Sequence, residues 1–429
     1  MSSMSAPPIS TPRRALISWC IFDWANSAFP TVIVTFVFAA YFAKGVAANP
    51  TEGTTLWGTA LSLSGLAIAL ASPAIGAIAD RRGARKPWLA GLMLVCVLCS
   101  SMLWFTQPST DWIVWGLVFF ALGNFAFEVS TVFYNAMLPS LVPPARIGRL
   151  SGWGWGLGYA GGLCCLALTL VIFIQPETPP FGLDKAAAEH VRTVGPLVAV
   201  WYILFAVPLF CFVPDAAPTG VPIAVAAKRG IDELYQTLRS IRKYRQLFRF
   251  LLARVLYIDG LNTLFAFGGI YAAGTFGMAV DEIILFGISL NITAGLGAAS
   301  FAWIDDWIGS KRTIMIALVG LIAFGTPILF ITSKTAFWIL ALFLGIFMGP
   351  AQAASRSLMA RLAPPGQVTQ MFGLFALSGK VTAFLGPAML AWVTAIFASQ
   401  RAGMATVIIF IAAGALILTT VKEPSHSKV

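Results

Sequence analysis

The chain has 429 residues, 58% of them hydrophobic and only 10% charged, with a net charge of +11 and a mean hydropathy of +0.84. A soluble domain runs at roughly 45–50% apolar and about 25% charged. No water-facing surface could cover this much apolar side chain, so a cytosolic enzyme, a secreted disulfide scaffold and a disordered chain are excluded.

A bilayer core takes about 20 apolar residues per helix. By that measure the sequence predicts twelve spans, near 16–43, 55–79, 87–106, 111–139, 149–174, 195–213, 250–275, 282–304, 312–332, 335–360, 370–396 and 402–421. The runs are continuous rather than alternating, which predicts helices and not barrel strands. The first run follows Arg13 and Arg14 as a signal peptide would. It is too long for a signal core and contains Asp23 and Asn26, so it reads as a retained span. Cys20, Cys96, Cys99, Cys164, Cys165 and Cys211 all fall in apolar runs and read as small hydrophobes, not as a disulfide framework.

Six spans precede the longest polar stretch, residues 214–249, and six follow it. The stretch opens as a linker with Pro214, Pro218, Gly220 and Pro222. Ile231, Leu234, Leu238 and Ile241 then recur at helical spacing among Arg239, Arg242, Lys243 and Arg245, which predicts an amphipathic helix on the cytoplasmic membrane surface. The expected organisation is a six-helix half over 1–213, this bridge over 214–249, and a second six-helix half over 250–429.

Orientation follows from the basic residues. With the N-terminus inside, twenty of the 28 Lys and Arg fall on the cytoplasmic side, Lys428 in the tail among them. Five fall outside (Lys44, Lys185, Arg192, Lys334, Arg401) and three within spans. That bias predicts both termini cytoplasmic. It also explains the basic balance without nucleic acid, since the charge sits in short loops beside helix ends.

The halves repeat in register. Asp80-Arg81-Arg82-Gly83-Ala84-Arg85-Lys86 follows span 2, and Asp306-Trp307-Ile308-Gly309-Ser310-Lys311-Arg312 follows span 8. Span 1 holds Asp23 and Asn26, and span 7 holds Asp259 and Asn262, at the same spacing. Spans 4 and 10 both close on paired prolines, Pro143-Pro144 and Pro364-Pro365. The fold class expected is an all-α membrane protein of twelve transmembrane helices in two pseudo-symmetric halves.

The loop with Gly76, Asp80, Arg81, Gly83, Arg85 and Lys86 resembles the hallmark G-x-x-x-D-R-x-G-R-[KR] loop of the major facilitator superfamily. It departs in placing Ala84 after the glycine, so the basic pair arrives one residue late. A narrower resemblance, to the vacuole-effluxer (autophagy-associated) branch, covers most of the chain. It rests on Phe22 to Ala28, Phe133 to Pro139, Leu150-Ser151-Gly152, Gly158 to Gly162, Tyr257 to Gly260, Gln352 to Ser357 and Ser378-Gly379-Lys380. The resemblance implies a major facilitator fold and a solute effluxer, with amino acids the substrate class associated with the fungal members. It also implies that spans 1, 4, 7 and 10 line the pathway and that the loops at Asp80 and at Asp306, Gly309, Lys311 and Arg312 latch a cytoplasmic gate. The glycines of span 5 loosely resemble an antiporter motif, with Tyr159 where that motif has proline.

A charge at the bilayer centre costs a few kcal/mol or more and normally faces a protein cavity. Asp23, Glu128, Arg254, Asp259, Arg356 and Lys380 lie within spans. Two readings stand: mutual pairs joining helices, or direct contact with solute and protons. Asp23 and Arg356 favour the second, each lying in a family-like block. Arg254 favours the first, and Lys380 is expected to pair with Asp23 or Glu128. Asn26, Asn135, Asn262 and Gln352 are candidate hydrogen-bonding groups for a polar solute. His190 and His426 lie in an outer loop and the tail, so proton coupling would fall to Glu128 or Asp23. Gly373 to Lys380 imitates a phosphate loop, but its spacing is one residue too long and it lies in a span.

The function expected is secondary transport of a small polar, amino-acid-like solute by alternating access, exporting and proton-coupled. The alternative is a lipid or amphiphile flippase, which would need a lateral opening between spans 5 and 8. No enzyme activity, metal or cofactor is expected. The partners expected are the solute, protons and the bilayer, with the chain a monomer. A chain of this length with short termini suits a bacterial inner membrane.

Overall fold

In the computed structural model of the protein, residues 11–240 and 242–423 are described, the side chains of residues 280 and 281 excepted. Ile241, His426 and Lys428 lie outside the described residues. Twelve helices are long and apolar enough to cross a membrane. The first six are Arg13–Val46, Pro50–Arg82, Lys86–Phe105, Thr110–Leu141, Pro144–Ile174 and Glu189–Phe212. After a bridging helix, Ile223–Arg239, come Arg245–Phe276, Glu282–Ile308, Ser310–Ile328, Lys334–Leu362, Val368–Phe397 and Gln400–Thr419. Large apolar side chains such as Leu63, Leu70, Val114, Leu204, Leu296 and Leu416 stay exposed, as surfaces turned to lipid require.

Several helices run past the apolar segments that announce them, because capping groups outside the hydrocarbon satisfy their ends. Span 2 starts at Pro50 behind Asn49, whose side chain accepts the Glu52 N–H. His190 falls in the first turn of span 6 rather than in a loop. Span 1 contains two π-helical stretches, Phe29–Phe36 and Phe42–Val46, the first with Pro30 near its start.

Packing repeats between the halves with a shift of six spans. Spans 1 and 6 pair as 7 and 12 do, 3 and 4 as 9 and 10, and 2 and 4 as 8 and 10. Across the halves, span 2 lies on span 11 and span 5 on span 8. Glycines permit both contacts: a side chain at Gly76 would strike the Thr369 and Gln370 backbone, and one at Gly152 would strike Ala298 and Ala302.

Two elements differ from expectation. The bridging helix begins at Ile223, eight residues ahead of the apolar spacing, and packs on span 2, with Gly230 against Ala77 and with Ala226 and Thr237 buried. Its small residues let backbones approach, so the small face docks while Ile231 and Leu238 stay exposed. Span 11 is broken: Val368–Lys380 and Leu385–Phe397 are separate helices joined by a turn. Pro387 in the first turn of the second piece lacks the N–H that would continue the ladder.

Candidate functional site

Arg356 of span 10 is the centre of the contact between halves. Its guanidinium is 1% exposed and enters a cage built by the first half. Nη1 donates to Asp23 Oδ2 at 2.9 Å and Asn135 Oδ1 at 3.2 Å, Nε to Ser151 Oγ at 2.9 Å, and Nη2 to the Ser151 carbonyl at 2.6 Å. Trp19 and Trp155 lie 4.9 Å from it and Tyr134 at 5.7 Å. Ser151 Oγ in turn donates to the Ala353 carbonyl of span 10 at 2.8 Å. Each nitrogen of this buried guanidinium has a hydrogen-bond partner and aromatic rings surround it, an arrangement that suits guanidinium and would not suit lysine. Of the predicted residues, Asp23, Asn135 and Arg356 come together here.

Lys380 selects Glu128 of its two candidate partners, Nζ to Oε1 at 2.7 Å. Both side chains are about a quarter exposed, 26% and 25%, so water reaches this pair. It also joins the halves, linking spans 11 and 4. Gln352 Nε2 meets the Tyr159 hydroxyl at 3.5 Å, a third polar contact across the middle. Asn26 is buried and accepts from its neighbour Ser27, while Asn262 is exposed on span 7. Arg254 binds within its own half, Nη1 to the Phe375 carbonyl and Ser378 Oγ, both at 2.7 Å, with its guanidinium 3.5 Å from the Phe375 ring centre. Asp259 is buried and accepts the Gly386 N–H at 2.9 Å.

Toward the basic face the two repeated loops work reciprocally. Asp80 accepts the Thr369 and Gln370 N–H groups at 3.0 and 2.8 Å, holding the exposed donors at the start of span 11. Arg85 Nε reaches Thr369 Oγ1 at 3.1 Å. Burial lowers its guanidinium below the usual arginine range, opposed by Asp80 and Asp215. Arg81 pairs with Glu233 of the bridging helix at 2.7 Å, and Gly83 turns at φ 83° against the Ala217 carbonyl. Lys86 Nζ donates to the Phe210 carbonyl at 2.9 Å. In the second half Asp306 meets Arg149 of span 5 and Arg361 of span 10, each at 3.4 Å. Lys311 Nζ holds the Thr419 carbonyl at 2.8 Å, Gly309 turns at φ 92°, and Arg312 is exposed.

Sequence reasoning passed over several members of this network. Arg361 binds Asp305 at 2.6 Å, donates also to Ser310 Oγ, and reaches across to the Pro144 carbonyl at 3.3 Å. Asp215 accepts the Arg85 and Lys86 N–H groups, and Glu423 accepts those of Ser310 and Lys311. The signal was present in the repeat: Val213-Pro214-Asp215 closes span 6 as Val421-Lys422-Glu423 closes span 12.

These contacts share one side. Among the described residues, no hydrogen bond or ion pair joins the halves beyond the level of Glu128, about 20 Å from the basic face at 1.5 Å per residue. The molecule is shut at the basic face. Spans 5 and 8 leave no lateral slit there, because Gly148, Gly152 and Gly156 lie directly on Asp305, Ala298, Ala302 and Gly295.

Comparison with known proteins bears on what shuts and opens. The family model described as vacuole effluxer Atg22 like matches residues 51–428. The uncharacterized MFS-type transporter YxiO of Bacillus subtilis is 27% identical over 417 residues, 96% of each chain. Autophagy-related protein 22 of Cryptococcus neoformans is 26% identical over 275 residues, covering 59% of this chain and 47% of that protein. The chain thus spans about half the length of that fungal relative. Among solved structures, the major facilitator transporter FucP in its outward conformation superposes with a TM-score of 0.75 at 14% identity, over 96% of this chain and 99% of that one. At that identity the likeness concerns the fold.

Proposed function

The chain belongs to the vacuole effluxer Atg22-like family of the major facilitator superfamily, and from that premise we propose that it exports a small zwitterionic solute, amino-acid-like, by proton-coupled alternating access. Membership makes it a multi-pass secondary transporter; the solute, the direction and the coupling are our reading. The observation that carries it is the pair of ion contacts between halves at mid-depth, Asp23 with Arg356 and Glu128 with Lys380. Charges buried between two rigid bodies are costly unless a partner replaces the one that leaves. A solute carboxylate meets that need by taking the place of Asp23 on Arg356, and its ammonium group then faces the freed Asp23. Asn26, Asn135, Asn262 and Gln352 line the same path, and Asp259 belongs to the coupling machinery. The loops at Asp80 and Asp306 latch the gate.

The basic face is taken as cytoplasmic, since Lys and Arg concentrate there, which puts both termini inside. We assign the protein to a bacterial inner membrane, as a monomer. The filled contact between spans 5 and 8 speaks against a flippase that admits lipid from that side. The test is uptake by proteoliposomes of a panel of labelled amino acids, with and without a pH gradient. Accumulation against a gradient is expected for at least one zwitterion and is abolished by Arg356→Lys. Failure of every solute to accumulate, with labelled phospholipid crossing instead, would reverse the reading in favour of the flippase.

A further inference from the structure

Asp23 and Glu128 both have basic partners, which leaves Asp259, of the three acids predicted within spans, without one among the described residues. Its carboxyl is 1% exposed; Oδ2 accepts the Gly386 N–H, and Oδ1 has no hydrogen-bond partner among the described residues. The charged and titratable groups on the helices around it are engaged elsewhere. Arg254 holds Phe375 and Ser378, Lys380 holds Glu128, and Arg356 holds Asp23. Arg401 of span 12 donates to the Leu329 and Ile331 carbonyls, and Glu282 of span 8 is paired with Lys334. Tyr257 shares a hydrogen bond with Ser355, and Tyr271 donates to the Ile328 carbonyl. A carboxylate without a countercharge in an apolar interior is a costly state, and a proton removes the cost.

The second observation is where the carboxyl sits. Gly386 is the second residue of the far half of span 11, where backbone N–H groups lack acceptors in their own helix. Asp259 supplies that acceptor from span 7. A side chain at Gly386 would meet Thr263 Oγ1, so the two backbones lie in direct contact. On the other side of the four-residue break, Lys380 ends the near half and holds Glu128 in the opposite half of the molecule. The break thus carries a base at the end of one helix and an acid at the start of the next, each matching the local helix dipole.

We infer that Asp259 is the proton-binding carboxyl of the transport cycle and that its charge state sets how tightly the far half of span 11 is held to span 7. Ionised, it binds the helix N-terminus as a charge-assisted acceptor. Protonated, it keeps only a neutral hydrogen bond and the helix is freer to move. Proton loss therefore tightens span 11 against span 7, and proton uptake releases it beside the Lys380 link. No bond changes beyond transfer of the proton to and from water. The inference deepens the transporter reading and rests on it for its role in the cycle.

Infrared difference spectra of the purified full-length protein between low and high pH test the assignment without a solute. A carboxylic-acid C=O band should disappear as pH rises. It should be absent from Asp259→Asn, displaced but titrating in Asp259→Glu, and unchanged in Asp23→Asn. Loss of the band on adding sodium at constant pH would make this a metal-cation site and overturn the proposal. So would an unaltered band in Asp259→Asn; if that variant does not fold, an undisplaced band in Asp259→Glu has the same meaning. In proteoliposomes with the amino-acid panel, Asp259→Asn should exchange solute yet lose all accumulation driven by the pH gradient. Retained accumulation also refutes the role. A wild type that moves no solute refutes the transporter reading instead, and the infrared result still decides whether Asp259 holds the proton.

Discussion

Asp23→Asn separates a moving ion pair from a permanent strut. In the closed arrangement Arg356 and Asp23 are 1% and 11% exposed at the side chain and 2.9 Å apart. Removing one member of a buried pair costs about 3–5 kcal/mol, because the other charge stays buried without compensation. Arg356 would keep Ser151, Asn135 and its ring neighbours, which places the loss at the lower end, about 3 kcal/mol. At about 1.4 kcal/mol per factor of ten, the closed state falls roughly a hundredfold relative to any state in which the halves have parted. Ala302→Cys in a protein otherwise lacking cysteine reports this, since Ala302 is 1% exposed and lies against Gly152 of the opposite half. A membrane-impermeant maleimide applied from the basic face should label it slowly in the parent and about a hundredfold faster with Asp23→Asn. Adding Arg356→Gln removes the uncompensated charge and should bring the rate back toward the parent. Equal rates for the parent and Asp23→Asn would mean that the pair survives in both states, and the alternating-access role given to it would fail.

The Glu128–Lys380 pair is partly wet, so Lys380→Gln should leave stability within about 1 kcal/mol after solvent screening. Thermal unfolding would show that, while the exchange Glu128→Lys with Lys380→Glu should restore any transport the single change removes. Asp80→Ala strips the acceptor from two N–H groups at the start of span 11, worth about 0.5–2 kcal/mol. The expected result is several-fold faster labelling at Ala302→Cys, with Asp80→Asn between it and the parent. Gly76→Val would drive a side chain into the Thr369 backbone; overpacking of about 1–3 kcal/mol should open the basic face and speed the same labelling.

Hydropathy alone recovers the twelve spans, because burial in lipid demands continuous apolar length whatever the helices touch. The repeat places Asp80 and Asp306 at corresponding positions, and each meets the opposite half in its own way: Asp80 accepts two N–H groups of span 11, and Asp306 pairs with Arg149 of span 5. Neither signal can choose partners. Lys380 reaches Glu128 instead of Asp23, and Arg254 turns to Phe375 and Ser378, because helix rotation and tilt decide which faces meet. The break in span 11 escapes a hydropathy ruler for a related reason. Gly386 and Pro387 are as acceptable to lipid as their neighbours, and what changes at them is the backbone hydrogen bonding, which apolarity does not record. The bridging helix keeps Ile231 and Leu238 of its apolar stripe exposed, as a face laid on a membrane surface would be, while its docking through Gly230 onto span 2 is a contact that apolar spacing does not record. Asp259 becomes distinctive only by subtraction. In sequence it is one of six charges in the spans, equivalent to Asp23 by the repeat. Once Arg356 and Lys380 have bound Asp23 and Glu128, and Arg254 has bound its own half, no cation remains for Asp259 among the described residues. The repeat built two acids at corresponding places, and the partners available to each made them different: one a counter-ion held by arginine, the other a buried carboxyl that accepts a single backbone N–H among the described residues.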